Sequence, residues 1–323
     1  VEQAIQHVAK GEARLVELPL DTRPPGPREV IGRTLTSAVS PGTELHAAFL
    51  GARFPTGSGY AAVFEVDAVG AEVTDLKPGD RAFCLGNHRS RQRQDRDGVV
   101  PVPRGLDLHL APFARLFQVS WTTLVTTAAR PPATVVVSGL GVIGHLAAQL
   151  FRGAGYTVLG VDPSDSRRAL AAGKGLATAA AMPLDDPAIA GQVALVLECS
   201  GHEAGALAAC QVVRKGGEVV LIGVPWVRRT ELMAFDLLHA VFHKYAHLRS
   251  GWEWELPAHA QDFTAGSLRE NAAGALQWLL EGRFDLGGLY DVRSPGDCQA
   301  VYSELCDAGC GRLTTVFDWA VGG

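Results

Sequence analysis

The residues best placed to do chemistry are a run of glycines. Gly139-Leu140-Gly141-Val142-Ile143-Gly144 directly follows the apolar run TVVVS and opens the amphipathic segment VIGHLAAQLFRGAG. In that setting Gly139 permits a tight turn, Gly141 lets a pyrophosphate approach the backbone, and Gly144 lets helix and strand pack closely. Phosphates then rest on the helix N-terminus, at the amides of Val142 and Ile143. The next apolar run, YTVLGV, leads into Asp162, close to the roughly 20-residue spacing expected for a carboxylate on an adenosine ribose. The glycine string alone is a weak signal, but a strand before it, a helix after it and an acid on schedule make it a dinucleotide site. A carboxylate there accepts hydrogen bonds from a ribose diol and repels a 2′-phosphate, so NAD(H) is preferred. Arg167 and Arg168 keep NADP(H) open: they either meet a 2′-phosphate or form a solvated helix face. Glu198-Cys199-Ser200-Gly201 ends a later apolar run, where ligands bind outside the carboxyl ends of parallel strands. Ser200 and Gly201, with Gly223 after EVVLI, are expected to border the nicotinamide ribose, and Cys199 reads as a small buried hydrophobe rather than a redox thiol.

These residues need a parallel sheet to hold them. Six short runs, at 134–138, 156–161, 176–180, 193–198, 218–223 and 247–252, alternate with helix-length segments, which predicts a doubly wound dinucleotide fold. Residues 1 to about 125 have a different texture. EVIGRTLTSAV, AAVFEVDAVG, DRAFCLG and VVPVP are β-rich and punctuated by PPGP, SPGT, KPGD and PRG. A helical connector over 108–128 is halted at Arg130-Pro131-Pro132. After about residue 256 come a helix, the strand GLYDVR, a second helix and the strand RLTTVFDW, expected to return and complete the first domain. The expectation is an α/β chain with a discontinuous β domain (1–128 and 256–323) and an inserted dinucleotide domain (129–255).

The 323 residues carry a net charge of −5, which disfavours nucleic-acid partners. No run reaches the roughly 18 apolar residues of a membrane span, and the opening VEQAIQHVAKGEARLVELPL lacks the apolar core of a signal peptide. The first valine is read as lying just inside the native start. Only Cys84 of six cysteines precedes residue 199 and no CxxC pair exists, which fits a reducing, cytoplasmic setting.

SPGTELH at 40–46, GYAAVFEVDAVG at 59–70 followed by LKPGDRA, then GLGVIG, and ECSG before RKGGEVVLIG make the chain similar to the medium-chain dehydrogenase/reductase superfamily. That resemblance implies a Rossmann domain inserted into a GroES-like β domain, a homodimer, and hydride transfer to or from a small-molecule substrate. In zinc-dependent members a cysteine and a histidine stand where this chain has Pro41 and Tyr60. The connector, where the third ligand falls, has no cysteine, and GNHRSRQRQDRDG replaces the four-cysteine lobe. A structural zinc site needs four ligands and a catalytic one three, so no zinc is expected. The resemblance also implies a proton relay through Thr43 and His46, although Thr43 and Glu44 equally suit a capped turn. Tyr60 is either a phenol that replaces zinc as donor to the substrate oxygen or an aromatic pocket wall.

Losing a Lewis acid forfeits several kcal/mol of alkoxide stabilisation, which suits activated secondary alcohols: a carbinol beside a conjugated ring, or a polyol or cyclitol. In segment style the chain looks most like the bacteriochlorophyllide a dehydrogenase group, which oxidises a hydroxyethyl arm on a chlorin. The alternatives are an NADPH-dependent quinone or enone reductase of the same superfamily and a non-catalytic cofactor-binding protein. Other clusters have plainer readings. His239, His243 and His247 suit a solvated or subunit-facing helix better than a metal site. Cys298, Cys306 and Cys310 read as packing residues. The run Arg89 to Arg96 reads as a solvated loop, or as a grip on a substrate anion. Trp226, Trp252 and Trp254 either wall a pocket or pack structurally.

Overall fold

A computed structural model describes residues 1–307 and 310–320. The chain divides into two units, Val1–Leu116 with Ala272–Gly323, and Phe117–Asn271. Residues 117–128 and 256–271 therefore join the unit that carries the parallel sheet.

In the second unit, Thr134–Ser138 supplies three consecutive valines, Val135, Val136 and Val137, none of them exposed. A β-branched run buried on both faces is what a central parallel strand requires. The six strands lie in the order 177–179, 157–161, 134–138, 193–198, 213–221, 247–250, all parallel. Strand order reverses between 134–138 and 193–198, the point at which ligands bind in doubly wound sheets. The expected strand at 218–223 begins earlier, at Val213, and ends at Leu221, so Gly223 lies just past its carboxyl end. The connector helix is shorter than predicted, Phe113–Thr126, because residues 104–112 form turns.

In the first unit, Glu29–Ala38 pairs antiparallel with Ala62–Val69, which pairs with Arg81–Cys84 and so to Val99–Pro101. Thr314–Asp318 pairs with the other edge of Glu29–Ala38, so the C-terminal segment does complete this sheet. Among the described residues, the two-residue strand Thr56–Gly57, paired with Glu2–Ala9, and two longer elements have no counterpart among the strands expected from sequence. One is the hairpin Glu2–Ala9 with Glu12–Leu18. The other is Arg91–Asp95, a strand paired with Glu29–Ala38 and not a loop. Its arginines are paired with acids: Arg91 with Asp67 at 2.7 Å, Arg93 with Glu29 at 2.5 Å, and the following Arg96 with Asp75. They lace this unit together.

Trp226, Trp252 and Trp254 stand at the surface, 42%, 68% and 50% exposed, and so do not fill a core. Cys298 is buried as expected, but Cys306 is exposed on its helix. His239 and His243 lie with ring centroids 4.2 Å apart and tilted by 50° on the helix Ala234–Lys244, whereas His247 opens the last parallel strand. Among the described residues no helix is long and apolar enough to cross a membrane.

Candidate active site

The glycine turn is built as its spacing predicts. Gly139 has φ +90, a conformation that side chains avoid, and a Cβ there would lie 2.8 Å from the Ser200 amide nitrogen. At Gly144 a Cβ would sit 1.8 Å from the Gly139 carbonyl oxygen, so helix Val142–Gly153 can press against the first strand only with glycine at this position. Gly141 differs: a Cβ there would meet nothing within 4 Å. That open space beside the first-turn amides of Val142 and Ile143 is the cradle a pyrophosphate requires.

Asp162 follows the second strand and is buried. Its Oδ2 accepts from the Leu140 amide at 2.7 Å and its Oδ1 from the Ser164 amide at 2.8 Å, so it braces the glycine turn. Arg167, half-exposed, holds its Nη1 3.6 Å from Asp162 Oδ2. Arg168 is not a solvated residue: it donates to the Asp162 carbonyl at 2.6 Å and pairs with Asp165.

Glu198 belongs to the segment that its sequence position places at the ligand-binding ends of the strands. It ends the fourth strand, buried, where Oε1 accepts from the Ser200 amide at 3.0 Å and Oε2 from the Gly201 amide at 3.0 Å. Burial pushes its carboxyl above the usual range, against these hydrogen bonds. Gly201 and Gly223 approach so closely that a Cβ on Gly223 would lie 2.2 Å from the Gly201 nitrogen. Cys199 packs on the core, and burial pushes its thiol well up, so it is no ready nucleophile.

In the first unit, Pro41–Thr43 forms a helical turn that runs into a wider one, Glu44–Phe49, whose Leu50 amide bonds back to Leu45. Such i→i+5 turns recur at functional sites. Thr43 and His46 sit on this segment and are partly exposed. Tyr60 is also partly exposed, and the side chains of Ser40 and Thr43 lie beside its phenol. Burial raises its pKa above the ordinary phenol value, so it stays protonated and able to donate. Thr43 and Tyr60 are thus brought together.

Three further residues pack around this turn, and of them only Glu44, as a possible turn cap, entered the reading of the sequence. Glu44 is buried, with Oε1 accepting from the Ser40 amide at 2.7 Å and Oε2 from Ser58 at 2.5 Å and Tyr302 at 2.6 Å. His88 bridges Glu44 at 3.1 Å and Ser37 at 2.8 Å. Burial opposes the Glu44 charge, yet His88 and the hydrogen bonds hold its carboxyl below the usual range. This network anchors the turn that bears Thr43 and His46. The third is Arg115, 7% exposed, whose guanidinium lies 4.8 Å from the Tyr60 ring centroid.

Proline offers no metal donor, and a protonated phenol beside a guanidinium is a poor one, so Pro41, Tyr60 and Arg115 do not fit a catalytic zinc. Among the described residues no group of three or more His, Cys, Asp or Glu is arranged to hold a metal. Cys84 is buried with its thiol pushed up to about 12.

Comparison with known proteins agrees with this architecture. The model of the zinc-binding dehydrogenase family matches residues 142–253. An alcohol dehydrogenase of Geobacillus stearothermophilus is 28% identical over 226 residues, covering 57% of this chain and 66% of the relative's length. Galactitol-1-phosphate dehydrogenase of Escherichia coli superimposes with a TM-score of 0.83 at 18% identity, covering 98% of this chain and 99% of the other. A quinone oxidoreductase of Pseudomonas syringae superimposes with a TM-score of 0.79 at 19% identity, covering 98% and 100%. The chain shares the fold of the medium-chain dehydrogenases/reductases, with an antiparallel GroES-like sheet and a six-stranded parallel Rossmann sheet.

Proposed function

We propose that this protein is a zinc-independent, NAD(H)-dependent alcohol dehydrogenase or carbonyl reductase acting on activated secondary alcohols. The observation that carries the reading is the hydroxyl cluster of Ser40, Thr43 and Tyr60, in which Tyr60 holds a position that the resemblance gives to a metal ligand. Gly139, Gly141, Val142, Ile143, Gly144 and Asp162 hold the dinucleotide, and Ser200, Gly201 and Gly223 border its nicotinamide half. When bound, the nicotinamide takes up hydride from the carbinol carbon, or returns it. Tyr60 binds the substrate oxygen, and the hydroxyl proton passes through Tyr60 and Thr43 to His46. Polyols and conjugated carbinols, among them a hydroxyethyl chlorin, are the substrate classes, since neighbouring oxygens or a conjugated ring activate the carbinol carbon.

Isothermal titration should give tighter binding of NADH than of NADPH, with the difference eroded in Asp162→Ala. Equal affinities in the unmodified protein would reject the NAD(H) assignment. Purified protein should carry well below one zinc per chain, and a full equivalent would overturn the zinc-independent mechanism.

One observation favours a second reading. Arg167 lies beside Asp162 with its guanidinium half-exposed, suited to a 2′-phosphate. Together with the quinone oxidoreductase fold match, it supports an NADPH-dependent quinone or enone reductase. Turnover of a cyclic enone with NADPH, and none of secondary alcohols, would select it. Tight cofactor binding without turnover across both panels would instead indicate a non-catalytic binding protein.

A further inference from the structure

We propose that Arg115, with Tyr60, forms an oxyanion-binding pair that supplies the charge a metal would otherwise supply to the reacting oxygen. The inference rests on the dehydrogenase reading and deepens it by adding a catalytic residue. Arg115 belongs to the first turn of the connector helix Phe113–Thr126, within the stretch where the resemblance implies a third metal ligand. Its guanidinium lies over the Tyr60 ring at 4.8 Å, and the side chains of Ser40 and Thr43 lie beside the Tyr60 hydroxyl. Arg115 and Ser40 are each 7% exposed, whereas Thr43 and Tyr60 keep partial access to solvent. The cluster therefore combines a permanent cation with three hydroxyls at the edge of a low-dielectric interior.

Two properties make such a cluster an oxyanion site. A guanidinium remains charged at any working pH and presents planar donors that match a charged oxygen. Charge held in place before the reaction costs no reorganisation when an alkoxide develops, and removing one such donor typically costs about 10²-fold in kcat or more. In the oxidative direction the substrate O–H bond breaks and its proton leaves through Tyr60 and Thr43. With NAD⁺ bound, the carbinol C–H pair would leave as hydride to it, so that the C=O bond forms as the alcohol gives up two electrons to the cofactor. Arg115 stabilises the negative oxygen between these events. Arg115 also favours the phenolate of Tyr60 while Glu44 opposes it, so the two charges set how readily Tyr60 passes a proton.

The test needs a readout that does not depend on turnover. Isobutyrate, a carboxylate the size of a small secondary alcohol, should bind the intact protein in isothermal titration. Arg115→Met should weaken that binding at least tenfold and Arg115→Lys should retain part of it. Arg283→Met, which removes an exposed guanidinium lying 4.6 Å from the Trp278 ring centroid, should leave it unchanged. A Tyr60 ionisation, read as the ultraviolet difference between the intact protein and Tyr60→Phe, should move to higher pH in Arg115→Met. On any secondary alcohol that the protein turns over, Arg115→Met should lower kcat about 10²-fold with NADH affinity intact. No isobutyrate binding, or equal binding to Arg115→Met, overturns the pair even if alcohols are oxidised. Arg115-dependent binding with no alcohol turnover supports the anion site and rejects the dehydrogenase reading instead.

Discussion

His7 is a titratable ring buried with neither nitrogen hydrogen-bonded, packed edge-on to Tyr302 at 4.7 Å and near Phe49. Burial drives its pKa from 6.5 to about 4, with Glu44 opposing and His88 assisting that shift. Between these values the unfolded chain binds a proton that the folded chain refuses. Stability is therefore complete above pH 6.5 and falls as pH drops toward 4. By pH 5 the loss from His7 amounts to about 2 kcal/mol, taking about 1.4 kcal/mol per unit. Glu44, whose carboxyl is held low, gives up its contribution only at lower pH. Urea unfolding at pH 7 and pH 5 should show this difference, and His7→Phe should reduce it. An unchanged pH dependence in that variant would mean that the loss arises elsewhere. At the opposite end of the chemistry, Gly144→Ala places a methyl 1.8 Å from the Gly139 carbonyl, with backbone on both sides. Overpacking of this kind costs about 1–3 kcal/mol. It should also abolish NADH binding in a titration, because relief requires the helix to leave the strand; a variant that binds normally would show that the turn tolerates such a shift.

At the scale of elements, what was legible in the sequence had a short-range cause. The glycine turn, its flanking strand and helix, and Asp162 all lie within thirty residues of one another, and each answers to a local steric or spacing rule. The strand Arg91–Asp95 was not legible because its alternating Arg-Gln pattern has a strand period but no apolar face. Only the acids on distant segments, Asp67, Glu29 and Asp75, explain why those side chains are content to pair. The hairpin at the start was hidden for a related reason: Glu2 and His7 point inward, so burial does not follow hydrophobicity. The widened turn at 44–49 was also hidden, since Glu44 reads as a surface cap until Tyr302 arrives from 258 residues away to donate to it. Arg115 is the clearest case. An arginine near the start of a helix suggests solvent, and only the fold shows it buried over Tyr60. The hydroxyl cluster around Tyr60 is tertiary throughout, whereas the glycine turn is largely local.

At the scale of the whole molecule, the exposed apolar side chains concentrate between residues 224 and 263. On the helix Ala234–Lys244, Phe235, Leu238 and Phe242 stand at i, i+3 and i+7, 67%, 66% and 74% exposed, forming an apolar stripe that the chain leaves uncovered. The neighbouring strand His247–Ser250 is the edge of the parallel sheet, and Trp252 and Trp254 follow it. A sheet edge beside an apolar stripe is a surface that proteins normally cover. We propose that a second copy of this chain covers it, because an edge strand can meet its own copy about a two-fold axis and close the assembly in one step. Light scattering should then give a mass twice the 34.1 kDa of the chain, and Leu238→Glu with Phe242→Glu should return the monomer mass. These residues are exposed within the chain, so the double variant should keep its circular dichroism spectrum. A monomer mass for the unmodified protein at micromolar concentration would overturn the dimer and leave the stripe to a different partner.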